Sequence, residues 1–380
     1  MHARTVLVLA DRVGVALPAC RALARNGHRV GVAISTETSP ILASRTVAYR
    51  HLFPGPSAKQ TDWDTALGGA VAERAYDVVL ACNDIDVVRL MSTKHAVARA
   101  PSITPSQESV LDKAALAELC ADIGVRYPRT GVPVASSDDV EVAQAFEGRA
   151  VVKAARPAAM TTHGVVHMSG MMAASGQQAV VSAFEHYRAA GLQPIVQEHV
   201  DGPKLQAALI RRAGVTTCRL VALVELGTPG EATLRQLDSS AGVGADSIVA
   251  LERVADRAGY EGLLQAEFLV EPSGRVCLID VNPRLWGGLS FAELIGLQMT
   301  DRVVRDALGL PPRSAPREIV GRRYHHLGRE LTHVANSPRR LGAVLSGWRR
   351  NDVWDTPPIT DIRPFLFQSW QRLRRSQVVG

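Results

Sequence analysis

The sequence predicts an α/β region, then an α+β region, then an arginine-rich C-terminal extension. Three observations carry that prediction. Over the first hundred residues short apolar runs alternate with helical spacing, the signature of βαβ units and a parallel sheet. From about residue 150 short strands dominate, separated by turns such as Pro272-Ser273-Gly274, and that texture reads as largely antiparallel pairing. Finally, residues 311–380 hold thirteen arginines, no lysine and only five acids (Glu318, Glu330, Asp352, Asp355 and Asp361). Eight excess positive charges therefore sit in the last seventy residues of a chain whose net charge is +6, and residues 1–310 are slightly acidic.

Taken in order, residues 5–10 (TVLVLA) are a buried-strand run. Residues 18–27 have amphipathic helical spacing closed by Asn26-Gly27, and 28–34 form a second strand. Helical spacing returns over 66–74, and 77–81 is another apolar strand, ending at Asn83-Asp84. Such a half-Rossmann start places the loops 11–14 and 83–86 at the carboxyl ends of parallel strands, beside a crevice. The first loop, ADRVGVALPAC, has one glycine where the dinucleotide fingerprint GxGxxG needs three. No acid follows the second strand at the ribose position either, which argues against NAD. Pro101 and Pro105 punctuate the chain near residue 104, and 109–122 reads as a helix ending at Gly124. The strands expected beyond it are 150–154, 194–200, 205–210, 218–226, 263–270 and 276–281, with no internal repeat.

The bulk numbers narrow the function classes. A chain of 380 residues is too long for one ordinary core. With 46% hydrophobic and 21% charged residues it suits a globular enzyme and not a disordered or fibrous chain. No apolar run reaches the length of a membrane-spanning helix, so no membrane span is expected. The short N-terminal apolar run leads straight into Asp11-Arg12 and reads as a strand, not a signal peptide. Five scattered cysteines without CxxC spacing fit reduced thiols, and the expected location is cytoplasmic. The basic tail is read as a solvated helical face with internally paired arginines, so no nucleic-acid partner is expected. The pair His325-His326 and nearby His333 read as a helix surface and not a metal site. Trp348, Trp354, Phe365, Phe367 and Trp370 are expected to pack the tail on the body, with a homodimer contact as one outcome.

The chemistry concentrates in two adjoining strands. In Asp280-Val-Asn282 the polar side chains are two residues apart, so a strand turns both to one face. If 263–270 and 276–281 pair across the 272–274 turn, Glu267 lies opposite them. Three hard oxygen ligands then converge for Mg²⁺, one or two ions, with Mn²⁺ as an alternative. Pro283 ends the strand, Arg284 offers a fork to phosphate oxygens, and Gly287-Gly288 permit close backbone approach.

This stretch, Asp280-Val-Asn282-Pro283-Arg284-Leu285-Trp286-Gly287-Gly288, resembles the metal-and-phosphate strand of the ATP-grasp superfamily. Within it the carboxylate–amine ligase branch, near the carbamoyl-phosphate-synthase-like and biotin-carboxylase-like members, is most similar. The resemblance implies a pre-ATP-grasp domain over 1–104 and a two-lobed ATP-grasp domain over 105–310. A mobile lid would lie at about 125–196, with the basic extension over 311–380. It implies that Lys113 and Lys153 bind ATP phosphates, and that the Gln197 side chain and the main chain of Glu198 and Val200 recognise adenine. It also implies that the lid loop holding Thr161, Thr162, His163 and Gly164 meets phosphate. The chain departs from the pattern in three places: Lys204 stands where an acid usually holds the ribose, the lid loop has one glycine, and Asp280 replaces glutamate. Asp201 is an alternative ribose ligand.

The implied reaction is ATP- and Mg²⁺-dependent activation of a carboxylate as an acyl phosphate, followed by capture by an amine. Arg284 would be the catalytic residue, and the partners are a small-molecule carboxylate and amine. Three rival readings remain: a carboxyphosphate-forming, carboxylase-like enzyme, an ATP-binding regulatory homologue without chemistry, and a membrane-peripheral or partner-binding protein acting through the arginine-rich tail.

Overall fold

The computed structural model describes residues 4–93, 100–101, 107–146, 148–168, 170–226, 233–311, 320–336, 341–342, 352–355 and 359–378. Its first layer is a four-stranded parallel sheet of β1 (Thr5–Leu9), β2 (Arg29–Ile34), β3 (Tyr49–Leu52) and β4 (Val78–Leu80), in the order β3-β2-β1-β4. Val6 through Leu9 and Val78 through Leu80 are all buried, as a parallel sheet covered on both faces requires. Gly31 in β2 has no substitute, since a Cβ there would lie 2.0 Å from the Tyr76 hydroxyl.

Helix α1 (Val13–Arg25) starts five residues before its expected start, so Pro18 lies inside it. A proline in the second turn removes one ladder bond near a helix end, which the buried face around Ala16, Ala19 and Leu23 outweighs. Helix α2 (Gln60–Glu73) also begins early. Strand β3 was not foreseen. Its sequence, YRHL, lacks apolar alternation, and its edge position needs none. Helix α3 (Asp84–Ser92) opens with a capping box between Asn83 and Asp86.

The expected helix over 109–122 is two helices, α4 (Gln107–Leu111) and α5 (Lys113–Asp122). Asp112 breaks them apart by capping α5, accepting from the amides of Ala114 and Ala115 at 3.0 and 3.3 Å. Then follow β5 (Thr130–Gly131), α6 (Asp139–Gln144), β6 (Arg149–Ala154), β7 (Ala158–Thr161), β8 (Gly164–His167), β9 (Met172–Ser175), α7 (Gln177–Ala189) and β10 (Pro194–Glu198). Strands β5-β10-β6-β9 form an antiparallel sheet whose core packs Val152 and Val196 against Phe184 and Tyr187. Strands β7 and β8 form a separate two-stranded hairpin.

The largest sheet comprises β11 (Lys204–Arg212), β12 (Val215–Leu226), β13 (Thr233–Leu237), β14 (Gly262–Val270), β15 (Val276–Asn282), β16 (Arg323–His325) and β17 (Val353–Trp354). Its order is β15-β14-β11-β12-β13-β16-β17. Alternate residues of β11 enter different cores: Leu205, Ala207 and Leu209 face α8 (Gly242–Ala258) and α5, whereas Ala208 and Ile210 face the first sheet's side. That second core also includes α1, α9 (Leu289–Leu294) and α10 (Met299–Ala307), so one continuous apolar mass joins the parallel sheet to the antiparallel one.

The C-terminal residues do more than form an exposed face, because β16 and β17 complete the large sheet. They are followed by α11 (Leu327–Asn336) after β16 and α12 (Arg363–Val378) at the end. The helix-surface reading of His325 is therefore corrected. It lies in β16, 1% exposed, with Nδ1 2.6 Å from Glu330 and Nε2 2.9 Å from Asp352, and its ring stacks on Trp354. Burial pulls its pKa down, but the two carboxylates outweigh burial and raise it. His326 is half-buried, and the placement of the His333 side chain and of Trp348 lies outside the described residues.

Candidate active site

A cavity of about 990 Å³ opens where the parallel sheet, the four-stranded sheet and the β14–β15 edge meet. The loops after β1 and β4 supply Asp11, Arg12, Asn83 and Asp84, at the carboxyl ends of parallel strands as the half-Rossmann pattern predicts. Lys113 is the first residue of α5, and the Asp112 cap fixes where that helix begins. Lys153 comes from β6, Gln197 and Glu198 from β10, Lys204 from β11, Glu267 from β14, and Asp280 and Asn282 from β15.

The register of β14 and β15 brings the oxygen donors together. Glu267 pairs with Asp280 and Gln265 with Asn282, and the register shifts beyond them, where Phe268 pairs with Leu278. Skipping Ile279 lets Asp280 face Glu267 while the rest of the hairpin keeps its apolar alternation. Each acid carries a cation: Lys113 Nζ lies 2.9 Å from Asp280 Oδ1, and Lys204 Nζ 2.8 Å from Glu267 Oε2. Lys204 thus serves as Glu267's ion partner. Asn282 Nδ2 donates to Gln265 Oε1 at 2.9 Å, which orients its amide oxygen.

Arg284 is 6% exposed and more heavily engaged than a free phosphate ligand would be. Its Nε and Nη2 donate to the two Asp84 oxygens at 2.6 and 3.0 Å, and Nη2 also donates to Asn282 Oδ1 at 2.7 Å. Asp84 belongs to the first turn of α3, two hundred residues away, and this two-pronged pair ties the parallel-sheet region to the metal-type strand.

The charges interact as their spacing requires. Burial pulls the Lys113 pKa down, but Asp280's attraction and hydrogen bond outweigh it and the pKa rises. Among the described residues Lys153 has no acid in ion-pair contact, and burial holds its pKa below the usual lysine range against the more distant Asp280 and Glu267. Burial pushes Asp280 up, yet Lys113 and Lys153 together bring its carboxyl below the ordinary value. Asp86, behind Asn83, is pushed by burial up to about 8, against the opposing amides of Cys82 and Asn83.

Several expected residues are placed differently. Thr161, Thr162, His163 and Gly164 form the tip of the β7–β8 hairpin and do not line the cavity. Thr161 Oγ1 donates to the Gly164 carbonyl at 2.8 Å and accepts from the His163 amide at 3.2 Å, so it closes its own turn. The tip leans on residues 55–58: Val165 N donates to Pro56 O, and a Cβ at Gly164 would come within 2.5 Å of that oxygen. Arg89, 1% exposed, holds the same loop by donating to the carbonyls of Pro56 and Ala58 at 2.9 and 2.7 Å. From this hairpin, Pro157 and His167 line the cavity, and Met168, Gly170 and Met171 beyond it do so too. Burial lowers the His167 pKa, with Asp84 opposing and Arg284 and Arg12 adding to the effect.

Gln197 is 1% exposed and donates to Thr130 Oγ1 at 3.1 Å. The Glu198 amide donates to Arg129 O, and its carboxylate binds Arg126 at 2.8 Å and the Arg129 amide at 3.0 Å. Val200 lines the cavity, and Asp201 lies at its rim paired with Arg149. The sequence had pointed to the loops carrying Arg12 and Asp84 without assigning them a role, and His167 carried no motif.

Among the described residues no group of three or more His, Cys, Asp and Glu side chains forms a metal centre. The donor set is instead two carboxylates and one amide oxygen, all hard ligands. It fits Mg²⁺ sharing its shell with phosphates better than it fits a metal held by protein alone.

No family model matches the sequence. No curated protein matches it. Solved structures do. An N5-carboxyaminoimidazole ribonucleotide synthetase in its ADP complex is similar with a TM-score of 0.66 at 15% identity, over 90% of this chain and 86% of that one. A biotin carboxylase from Campylobacter jejuni is similar at 0.65 and 14% identity, over 85% of this chain and 74% of that one. An L-amino acid ligase from Bacillus licheniformis is similar at 0.58 and 13% identity, over 81% and 75%. The chain has the ATP-grasp fold shared by these synthetases, carboxylases and ligases, as its Asp280–Gly288 strand had implied.

Proposed function

We propose that the protein is an ATP- and Mg²⁺-dependent ligase that activates a small-molecule carboxylate as an acyl phosphate and joins it to an amine. One observation carries this reading: Glu267, Asp280 and Asn282 share a cavity with Lys113, Lys153, Lys204 and Arg284. Alternating carboxylates and ammonium groups suit a metal–triphosphate, because the anions hold the ion while the cations neutralise phosphate oxygens.

Glu267, Asp280 and Asn282 would hold Mg²⁺ there, and the ion would supply charge withdrawal from the phosphates. Lys113 and Lys153 bind the phosphates; the Glu198 carbonyl and Val200 meet the adenine. Arg284 exchanges one Asp84 contact for the transferring phosphoryl group and then steadies the tetrahedral oxyanion. When the amine attacks, phosphate departs with the former acyl–oxygen bond pair, and the amine's surplus proton leaves to a base. The four-stranded sheet and hairpin, about residues 125–196, act as a lid over residues 1–104 and the rest of 105–310. Closure keeps water from the acyl phosphate. No helix among the described residues is long and apolar enough to cross a membrane.

The test is ADP release from MgATP across a matrix of carboxylates and amines, with bicarbonate as one carboxylate. Stimulation needing both partners is the expected result. Bicarbonate alone driving turnover would move the assignment to carboxyphosphate chemistry, and no stimulation by any pair would end the ligase reading.

A further inference from the structure

Among the described residues, the segment carrying α12 is tied to the parallel-sheet region through Asp361 and Gln371. Asp361, 3% exposed and two residues before the helix, accepts from Arg21 Nε, Ser44 Oγ and the Arg45 amide, each at 2.8 Å. Ten residues on, Gln371 Nε2 donates to Thr38 O at 2.8 Å, and Pro364 is buried between them. Large apolar side chains of this segment are exposed: Ile362 is 36% exposed, Phe365 49%, Leu366 55% and Trp370 46%, with Ile359 at 90% just before them. Positions 362, 365, 366 and 370 share one helical face, and the amides of Phe365 and Leu366 already bond to the Ile362 carbonyl, so the turn includes it.

Within the sequence of this helix every charged residue has one sign. Arg363 opens the helix, and its later turns carry Arg372, Arg374 and Arg375. Four of the segment's five acids are committed to contacts within the protein: Glu330 and Asp352 to His325, Asp355 to the Tyr324 hydroxyl, and Asp361 to Arg21. What this segment offers a partner is therefore large apolar side chains set among arginines.

We propose that α12 lies on an anionic lipid surface, with Ile362, Phe365, Leu366 and Trp370 entering the headgroup–acyl boundary and the arginines meeting lipid phosphates. Both halves of the feature are then used at once: aromatic and aliphatic side chains favour the interface, and arginine reaches from it to the charge layer. A rigid protein groove is the poorer occupant. Helix-in-groove binding uses an apolar face alone and would leave the four arginines in the helix sequence without a role. An anionic membrane surface takes both the apolar and the basic side chains.

Flotation of the full chain with phosphatidylcholine vesicles, and with mixed phosphatidylcholine–phosphatidylserine vesicles, tests the assignment without reference to any enzymatic activity. Retention is expected on the mixed vesicles only, weakening as salt rises. Leu366→Glu combined with Trp370→Glu should cut it by roughly tenfold or more while the melting temperature holds, since both side chains are already half in water. No retention on the anionic vesicles overturns the proposal, and so does retention that the double variant leaves intact. A double variant that converts a dimer to a monomer in sedimentation, with no vesicle binding by the parent chain, overturns it in favour of contact between two copies.

Discussion

Two hairpins of this protein carry functional-type side chains, and only one turns them inward along its length. The β14–β15 hairpin pairs nine residues with seven at the edge of a seven-stranded sheet, and its far side is packed under α8. Register there leaves Glu267, Asp280 and Asn282 no choice of face, since a slip by one residue would bury the acids and expose Phe268 and Leu278. The β7–β8 hairpin pairs four residues with four, and its tip rests on residues 55–58. Its direction is set from outside, by a loop that Arg89 holds. Side chains on a well-anchored sheet can be located from spacing, whereas those on a short free hairpin depend on what the hairpin touches.

The sharpest way to break the comparison is Asp280→Ala. It removes one carboxylate of the proposed metal set and strips Lys113, a buried ammonium, of its 2.9 Å partner. Activity in the ligase assay should fall on the order of 10³-fold. Unfolding should also become easier by about 2–4 kcal/mol, below the full cost of a broken buried pair because Asp280 keeps 27% side-chain exposure. Denaturant titration beside steady-state kinetics separates the two effects. If activity is kept, the β14–β15 edge is not the phosphate site.

Next in size is Arg284→Lys. A lysine keeps the charge but cannot make the two-pronged contact to Asp84 and reach Asn282 together. The barrier should rise by roughly 2–4 kcal/mol with little change in the KM for ATP, read from kcat and KM separately. A variant that changes only KM would make Arg284 a binding residue for the ground state.

How far these residues were legible follows the same division. Asp280-Val-Asn282-Pro283-Arg284 carries its geometry in its spacing, and Lys113 is placed by the aspartate that caps its helix. Parallel strands β1, β2 and β4 announce themselves as unbroken apolar runs. Asp84 is different: its loop was expected at the crevice, but its pairing with Arg284 spans two hundred residues, and local pattern does not encode that contact. His167 is one residue among alternating strand positions, distinguished only by where its hairpin ends. His325 was hidden for another reason, since Glu330 and Asp352 reach it from α11 and from beyond the helix.

On the hairpin side, Gly164→Ala should cost about 1–3 kcal/mol of stability. Its φ of +110° excludes ordinary side chains, and the added Cβ would meet Pro56 O at 2.5 Å. A melting curve checks this. An unchanged midpoint would mean the tip does not rest on residues 55–58 in solution.

A smaller, pH-dependent effect distinguishes the two lysines proposed to bind phosphate. Burial depresses Lys153, whereas Asp280 raises Lys113. The protonated form binds phosphate, so MgATP affinity is present at low pH and is lost as pH rises through the lowered Lys153 pKa. That loss should begin below the ordinary lysine range, while Lys113 is still charged. Titrating MgATP affinity against pH in the parent and in Lys153→Met should show the alkaline limb in the parent alone. The same limb in both proteins would assign it to another group.

The smallest effect expected is also the most discriminating. His163→Ala and Thr162→Ala alter exposed side chains on the tip of a hairpin whose hydrogen bonds run through Thr161, Gly164 and Val165. Neither substitution touches the cavity, so each should change the KM for ATP by less than about twofold, an ordinary surface substitution. His167→Ala, four residues along the same hairpin but on the cavity wall, should change it by more. If the order is reversed, the tip itself reaches the phosphates when nucleotide binds. The hairpin would then have to leave Pro56, and Gly164→Ala would loosen it toward that state and improve ATP affinity while it lowers stability.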